Sequence, residues 1–131
     1  EALAATDEAA AAYAERARAD EQLRRGLHLW RGRILADLGR VDAAETAFRR
    51  EIELFPEDPR AYASLAILYA LTGRPAEVGP VLRSLVEEHT SALAYAEAVK
   101  TLRVLELPAQ ANGLLARGRQ RYPGNPFLVA L

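Results

Sequence analysis

The sequence predicts an all-α chain, an α-solenoid of stacked antiparallel helix pairs, on three observations. Residues 35–56 (LADLGRVDAAETAFRREIELFP), 69–90 (YALTGRPAEVGPVLRSLVEEHT) and 102–123 (LRVLELPAQANGLLARGRQRYP) superimpose without gaps at offsets of 34 and 33 residues. A period of that length is the signature of a stacked helical array. Apolar residues recur at three and four along each segment, as on one face of a helix. No stretch alternates polar and apolar residues between turn signals, so no strand is expected.

The elements follow in order from this pattern. The first twenty residues are rich in alanine and broken by Asp7, Glu8, Glu15 and Arg16, which suits a helix near 6–18 and not the apolar core of a secretory signal. A second helix, near 20–38, carries Leu27, Trp30, Ile34 and Leu38 at helical spacing. Trp30 is expected in the core, covered by the N-terminal helix. Gly39 ends this helix as a left-handed residue, and the next one, near 42–54, presents Ala44, Phe48 and Ile52, with Val41 at its start. Asp58-Pro59 supplies an N-cap and a first-turn proline for a helix near 59–72, which Gly73 closes. Pro75 opens a helix near 75–88 with Val78, Val81, Leu82 and Leu85 inward. Gly79-Pro80 inside it implies either a kink or a start at Pro80.

Ser91 caps a helix near 92–105, Pro108 opens another near 108–121, and Asn125-Pro126 starts a short last one. The third turn, LELPAQ, has no glycine, so Glu106 either takes a left-handed backbone or the turn widens. The third pair is therefore expected to be the most irregular.

A helix hairpin of this kind cannot bury its apolar faces alone, and three stacked units are normally needed. The division expected is one domain over 1–131: an N-terminal helix within 1–24 covering the first repeat, repeats at 25–58, 59–91 and 92–124, and a truncated terminal helix at 125–131. The chain does not open on methionine, which suggests a processed protein or a piece of a longer one. Weak homo-oligomer formation through exposed terminal helices is a further expectation. Leu128, Val129 and Leu131 point to the C-terminal edge.

Composition excludes several function classes. Half the residues are hydrophobic, enough for a substantial core, and 17 basic groups face 18 acidic ones. That balance gives no electrostatic reason to seek nucleic acid or an anionic membrane. Cysteine is absent, and no apolar run approaches the ~20 residues that span a bilayer. Lys100 is the only lysine, an arginine bias that reads as a GC-rich bacterial genome and not as a binding signature. The compartment stays open.

His28 and His89 fall in different repeats, without HExxH spacing, and are expected on the solvated surface. No phosphate-binding glycine loop, nucleophile elbow or calcium loop occurs. The expectation is a non-catalytic chain with no cofactor and no metal.

At these residues the sequence resembles the tetratricopeptide repeat family over about 25–123. Gly32 and Ala66 stand at the small position of the first helix, with Leu35, Tyr69 and Leu102 three residues beyond that position. Ala44 and Ala111 take the small position of the second helix, Phe48, Leu82 and Leu115 the large one, and Pro56 and Pro123 the closing proline. Val78, Val99, Thr90 and Glu51 depart from the pattern, Glu51 lying where alanine normally packs.

The resemblance implies a right-handed superhelix whose first helices line a concave surface for a peptide or protein segment. In that frame, helical phase assigns to the groove Leu29, Arg33, Ala36 and Asp37, then Arg60, Ala63, Ile67, Ala70 and Leu71, then Leu93, Ala96, Lys100, Arg103 and Val104. Its apolar members suit apolar side chains and its basic members suit carboxylates, so a segment with apolar and acidic residues is the complement. The family's chaperone-tail clamp is disfavoured, because Glu97 stands at one of the corresponding places and repels a carboxylate. RNA binding of the pentatricopeptide type is disfavoured by the slightly acidic charge. The alternative readings are an accessory domain that positions substrate or subunits in a larger bacterial enzyme, and a self-association module.

Overall fold

The computed structural model describes residues 2–131, with side chains from Thr6 onward. Residue 1, with which the expected N-terminal unit begins, lies outside the described residues. The elements are α1 (Ala2–Arg24), α2 (Leu27–Asp37), α3 (Val41–Leu54), α4 (Pro59–Leu71), a 3-10 turn (Pro75–Glu77), α5 (Val78–Glu88), α6 (Ala92–Val104), α7 (Pro108–Arg121) and α8 (Pro126–Val129). No strand forms among the described residues. Helices α2 and α3, α4 and α5, and α6 and α7 pack as hairpins. The pairs stack through α3 on α4, α5 on α6 and α4 on α6, and α8 packs against α6 and α7.

The helix starts are set locally. Asp58, Ser91 and Asn125 accept hydrogen bonds from the backbone N–H groups of Arg60, Ala94 and Phe127, each at 3.0 Å, so three side chains satisfy donors that the first helical turn leaves unpaired. Pro80 is accommodated in the same way. The chain enters as a 3-10 turn and α5 starts at Val78, which places Pro80 third in the helix, where no N–H has a helical acceptor to lose. Neither a kink nor a start at Pro80 is needed.

The three hairpin turns share one design. A left-handed residue, Gly39, Gly73 or Glu106, ends the first helix. The next N–H, of Arg40, Arg74 or Leu107, then reaches back to the carbonyl of Leu35, Tyr69 or Leu102, each at 2.9 Å. The third pair is thus as regular as the others, and the irregular pair is the second, with its 3-10 entry. Glu106 has φ 58, in the region that penalises a side chain. Replacing this exposed residue by glycine is expected to raise stability by about 1 kcal/mol, read as a shift in the urea midpoint with unchanged slope. An unchanged midpoint sets the strain at zero.

Core packing matches large side chains to small sockets. Phe48 is buried against Gly32, where an added Cβ would lie 2.5 Å from the ring, and Tyr95 covers Gly118 with 3.0 Å to the same hypothetical atom. Across the repeats the small position of the first helix runs Gly32, Ala66, Val99 as the large position of the second runs Phe48, Leu82, Leu115, all of them buried. The largest ring meets the smallest socket.

Helix α2 departs most from expectation. Leu29, not Trp30, enters the core: Leu29 is 2 % exposed and Trp30 65 %. Leu27, Ile34 and Leu38 are exposed with Trp30. The reason lies in α1, which runs past the expected break near residue 19 because no helix-breaking residue occurs before Gly26. It remains exposed from Thr6 to Arg24 except for half-buried Ala14, and it does not cover the first pair. At the opposite end Leu128 is fully buried, Leu131 is half-buried, and the carbonyl of Leu128 accepts two hydrogen bonds from Arg119. Phe127 and Val129 stay exposed there, so both ends of the stack carry uncovered apolar side chains, and the larger group is the N-terminal one.

Candidate functional site

The first helices α2 and α4 leave a cleft between them of about 320 Å3. Arg33, Ala36 and Asp37 of α2 form one wall, Ser64, Ile67 and Leu71 of α4 the other, and buried Phe48 and Leu68 the base. The spacing explains the walls, because Arg33 and Asp37, like Ile67 and Leu71, are four apart and project from one face of their helix. Leu71 is 78 % exposed, an apolar side chain at the rim with nothing over it. Arg33 and Asp37 form no ion pair with each other or with another described residue, which leaves both charges free for a ligand.

The other residues assigned to the groove divide by environment. Leu29 and Ala96 are buried in the core and line no groove, since each faces the packing interface of its own helix. Ala63 and Ala70 are half-buried. Arg60 is exposed, but its Nε and Nη2 donate to the carboxylate of Asp58 at 3.0 and 2.6 Å, so it braces the cap of α4. Burial pushes the Asp58 carboxyl up, and the hydrogen bonds from Arg60 more than reverse that, leaving it below its ordinary value. Lys100 donates to Glu97 one turn earlier at 3.3 Å. Leu93, Lys100, Arg103 and Val104 are exposed on α6 and extend the apolar and basic character beyond the cleft, Arg103 with no ion pair among the described residues.

A polar cluster that no sequence pattern announces holds the first two pairs in register. Glu45 of α3 accepts from the Tyr69 hydroxyl and from Arg74 Nη1, both at 2.6 Å, and Arg74 also binds Glu77. The Arg74 guanidinium lies 4.4 Å from the centre of the Tyr69 ring, and Arg49 donates to the Tyr69 hydroxyl. Hydrogen bonds from Arg74 first, then Tyr69, hold the Glu45 carboxyl at about 2, below its ordinary 4.5. Burial and the neighbouring Glu45 raise the Tyr69 hydroxyl. Glu51, the departure from the repeat pattern, is also buried and accepts from the N–H of Gly26 with both oxygens, at 3.1 Å each.

No group of three or more His, Asp or Glu side chains that could hold a metal ion occurs among the described residues. No helix among them is long and apolar enough to cross a membrane.

Comparison with known proteins agrees with this geometry. No curated protein matches the chain. The family model described as tetratricopeptide repeat matches it twice, over residues 5–59 and 37–92. Repeats of this family generally mediate protein–protein interactions. The two overlapping matches take in more than half the chain, from within α1 through α5, and the chain belongs to the tetratricopeptide repeat family.

Proposed function

We infer that the chain is a non-catalytic interaction module that takes an extended peptide or a helix of a partner protein into the α2–α4 cleft, with apolar and acidic side chains as the complement. The observation that carries this is the pairing in one cleft of a free guanidinium, Arg33, with the uncovered apolar wall of Ile67 and Leu71. An apolar wall rewards burial of a partner's side chain, and a free guanidinium fixes a carboxylate in two hydrogen bonds. Arg103 and Val104, both exposed, put the same combination on α6.

Selection from a displayed library of random peptides tests the reading. Enrichment of sequences that combine Leu, Ile or Phe with Asp or Glu is expected. Arg33→Glu is expected to weaken the selected peptides by roughly tenfold or more while helical circular dichroism stays unchanged. Lys100→Glu should have the smaller effect, because its ammonium already has Glu97. Enrichment of basic peptides, or equal binding by Arg33→Glu, would overturn the assignment.

A further inference from the structure

The exposed face of α2 is a stacking face with no unit stacked on it among the described residues. Leu27, Trp30, Ile34 and Leu38 correspond in the repeat to Ala61, Ser64, Leu68 and Thr72 of the second unit and to Ala94, Glu97, Thr101 and Leu105 of the third. In those units, where a preceding pair is present, Ala61, Leu68, Ala94 and Thr101 are buried and the other four half-buried. On α2 all four are between 56 and 65 % exposed. Leu27 and Trp30 are also larger than either of their counterparts, so a helix that covers them must itself present small side chains.

Helix α1 presents such a face. Ala10, Ala14 and Ala17 fall at four and three residues along one side, and the segment from Ala9 to Ala19 holds one large apolar residue, Tyr13. No described residue packs over that face, since α1 is exposed from Thr6 to Arg24 apart from half-buried Ala14.

The junction between the two helices shows why α1 does not cover its own α2. In each hairpin turn the left-handed residue is followed by one with ψ between 50 and 74°, and the pair of residues reverses the chain. Gly26 is left-handed, with φ 94 and ψ −7, but helix resumes at once at Leu27, so the chain bends without reversing. The back-reaching hydrogen bond of the hairpin turns is missing there, and the Gly26 N–H is held by the buried Glu51 carboxylate. Arg25 Nη1 bonds Glu57 at 2.6 Å and the guanidinium stacks 4.7 Å from the Phe55 ring. The direction in which α1 leaves is thus fixed by α3 and the α3–α4 turn.

We propose that two copies of this chain pair by exchanging α1, each laying its alanine face on the Leu27–Trp30–Ile34–Leu38 stripe of the other. Area favours the reciprocal arrangement over a single docked helix. The stripe exposes on the order of 500 Å2, so one helix on one stripe gives about 1,000 Å2 in total, the lower limit for a specific interface, and two reciprocal contacts give roughly 2,000 Å2. A second copy brings both missing helices at once.

Sedimentation of the whole chain over a concentration series, with Trp30 fluorescence read on the same samples, tests this. A monomer–dimer equilibrium is expected, with Trp30 emission shifting to the blue as dimer forms. Trp30→Asp on the stripe and Ala14→Asp on α1 should each weaken dimerisation by roughly tenfold or more. Leu71→Asp, in the groove, should leave it unchanged, so failure here is separable from failure of the groove reading. Mixing the Trp30→Asp and Ala14→Asp variants should restore part of the dimer, because one exchanged contact is intact in the mixed pair. Circular dichroism controls for folding, and both substituted residues lie outside the core. A monomer at every concentration overturns the proposal. So does a monomer with Trp30 already shielded, in which α1 covers its own chain. A dimer broken by Trp30→Asp but untouched by Ala14→Asp also overturns it, since that pairs α2 with α2.

Discussion

Phe48→Ala is expected to lower the stability of the chain by about 3–5 kcal/mol, the range for truncating a buried aromatic side chain. The ring is 2 % exposed, sits at the base of the α2–α4 cleft and fills the socket that Gly32 leaves open. Its removal leaves a cavity at the joint between the first two pairs. Gly32→Ala tests the same contact from the other side. In the wild-type background the added methyl lies 2.5 Å from the ring and should destabilise by about 1–3 kcal/mol. In the Phe48→Ala background the clash is gone, and the better helix propensity of alanine should make the same change neutral or favourable by up to about 1 kcal/mol. Urea unfolding of the four proteins measures the coupling. Additive effects would mean that the ring and the glycine do not constrain each other.

The second large effect is acid-dependent. Glu45→Gln should lower stability by on the order of 1–2 kcal/mol at neutral pH, a value reduced from the full linkage of the shift because Arg74 and Arg49 are partly in water. The carboxyl stands at about 2 in the folded chain and at 4.5 ordinarily. A depressed value adds stability that is complete above 4.5 and is lost as pH falls from there toward about 2. The wild-type chain should therefore lose stability faster than Glu45→Gln through that window, and the two curves should converge at its acid end. Parallel curves would remove the Arg74 and Tyr69 contacts from the account of how the first two pairs are held together.

Legibility followed the range of the physics. Asp58, Ser91 and Asn125 act within three residues of themselves, as do Gly39 and Gly73, so the sequence alone locates these helix ends. Helix α2 was ambiguous because it is apolar on more than one side: Leu27, Trp30, Ile34 and Leu38 form one stripe, and Leu29, Gly32 and Ala36 another. Periodicity proves a helix but not which stripe has a neighbour. Helical phase likewise brought Arg33, Asp37, Ile67 and Leu71 to one cleft, yet it put Leu29 and Ala96 beside them, and both are core. Arg60 and Lys100 were read as free charges, whereas Asp58 and Glu97 hold them.

By itself the sequence determined the repeat length, the all-α class, the family and nearly every helix end, because caps, turn residues and periodic apolar faces act over a few residues and need no partner from elsewhere in the chain. Only the tertiary structure decided that α1 stands off the first pair, that Trp30 faces outward, and that Glu45 clasps Tyr69 and Arg74. Those outcomes join residues up to 32 positions apart, as Arg25 to Glu57. What covers a side chain, or pairs with its charge, depends on how whole helices stack and not on its neighbours in sequence.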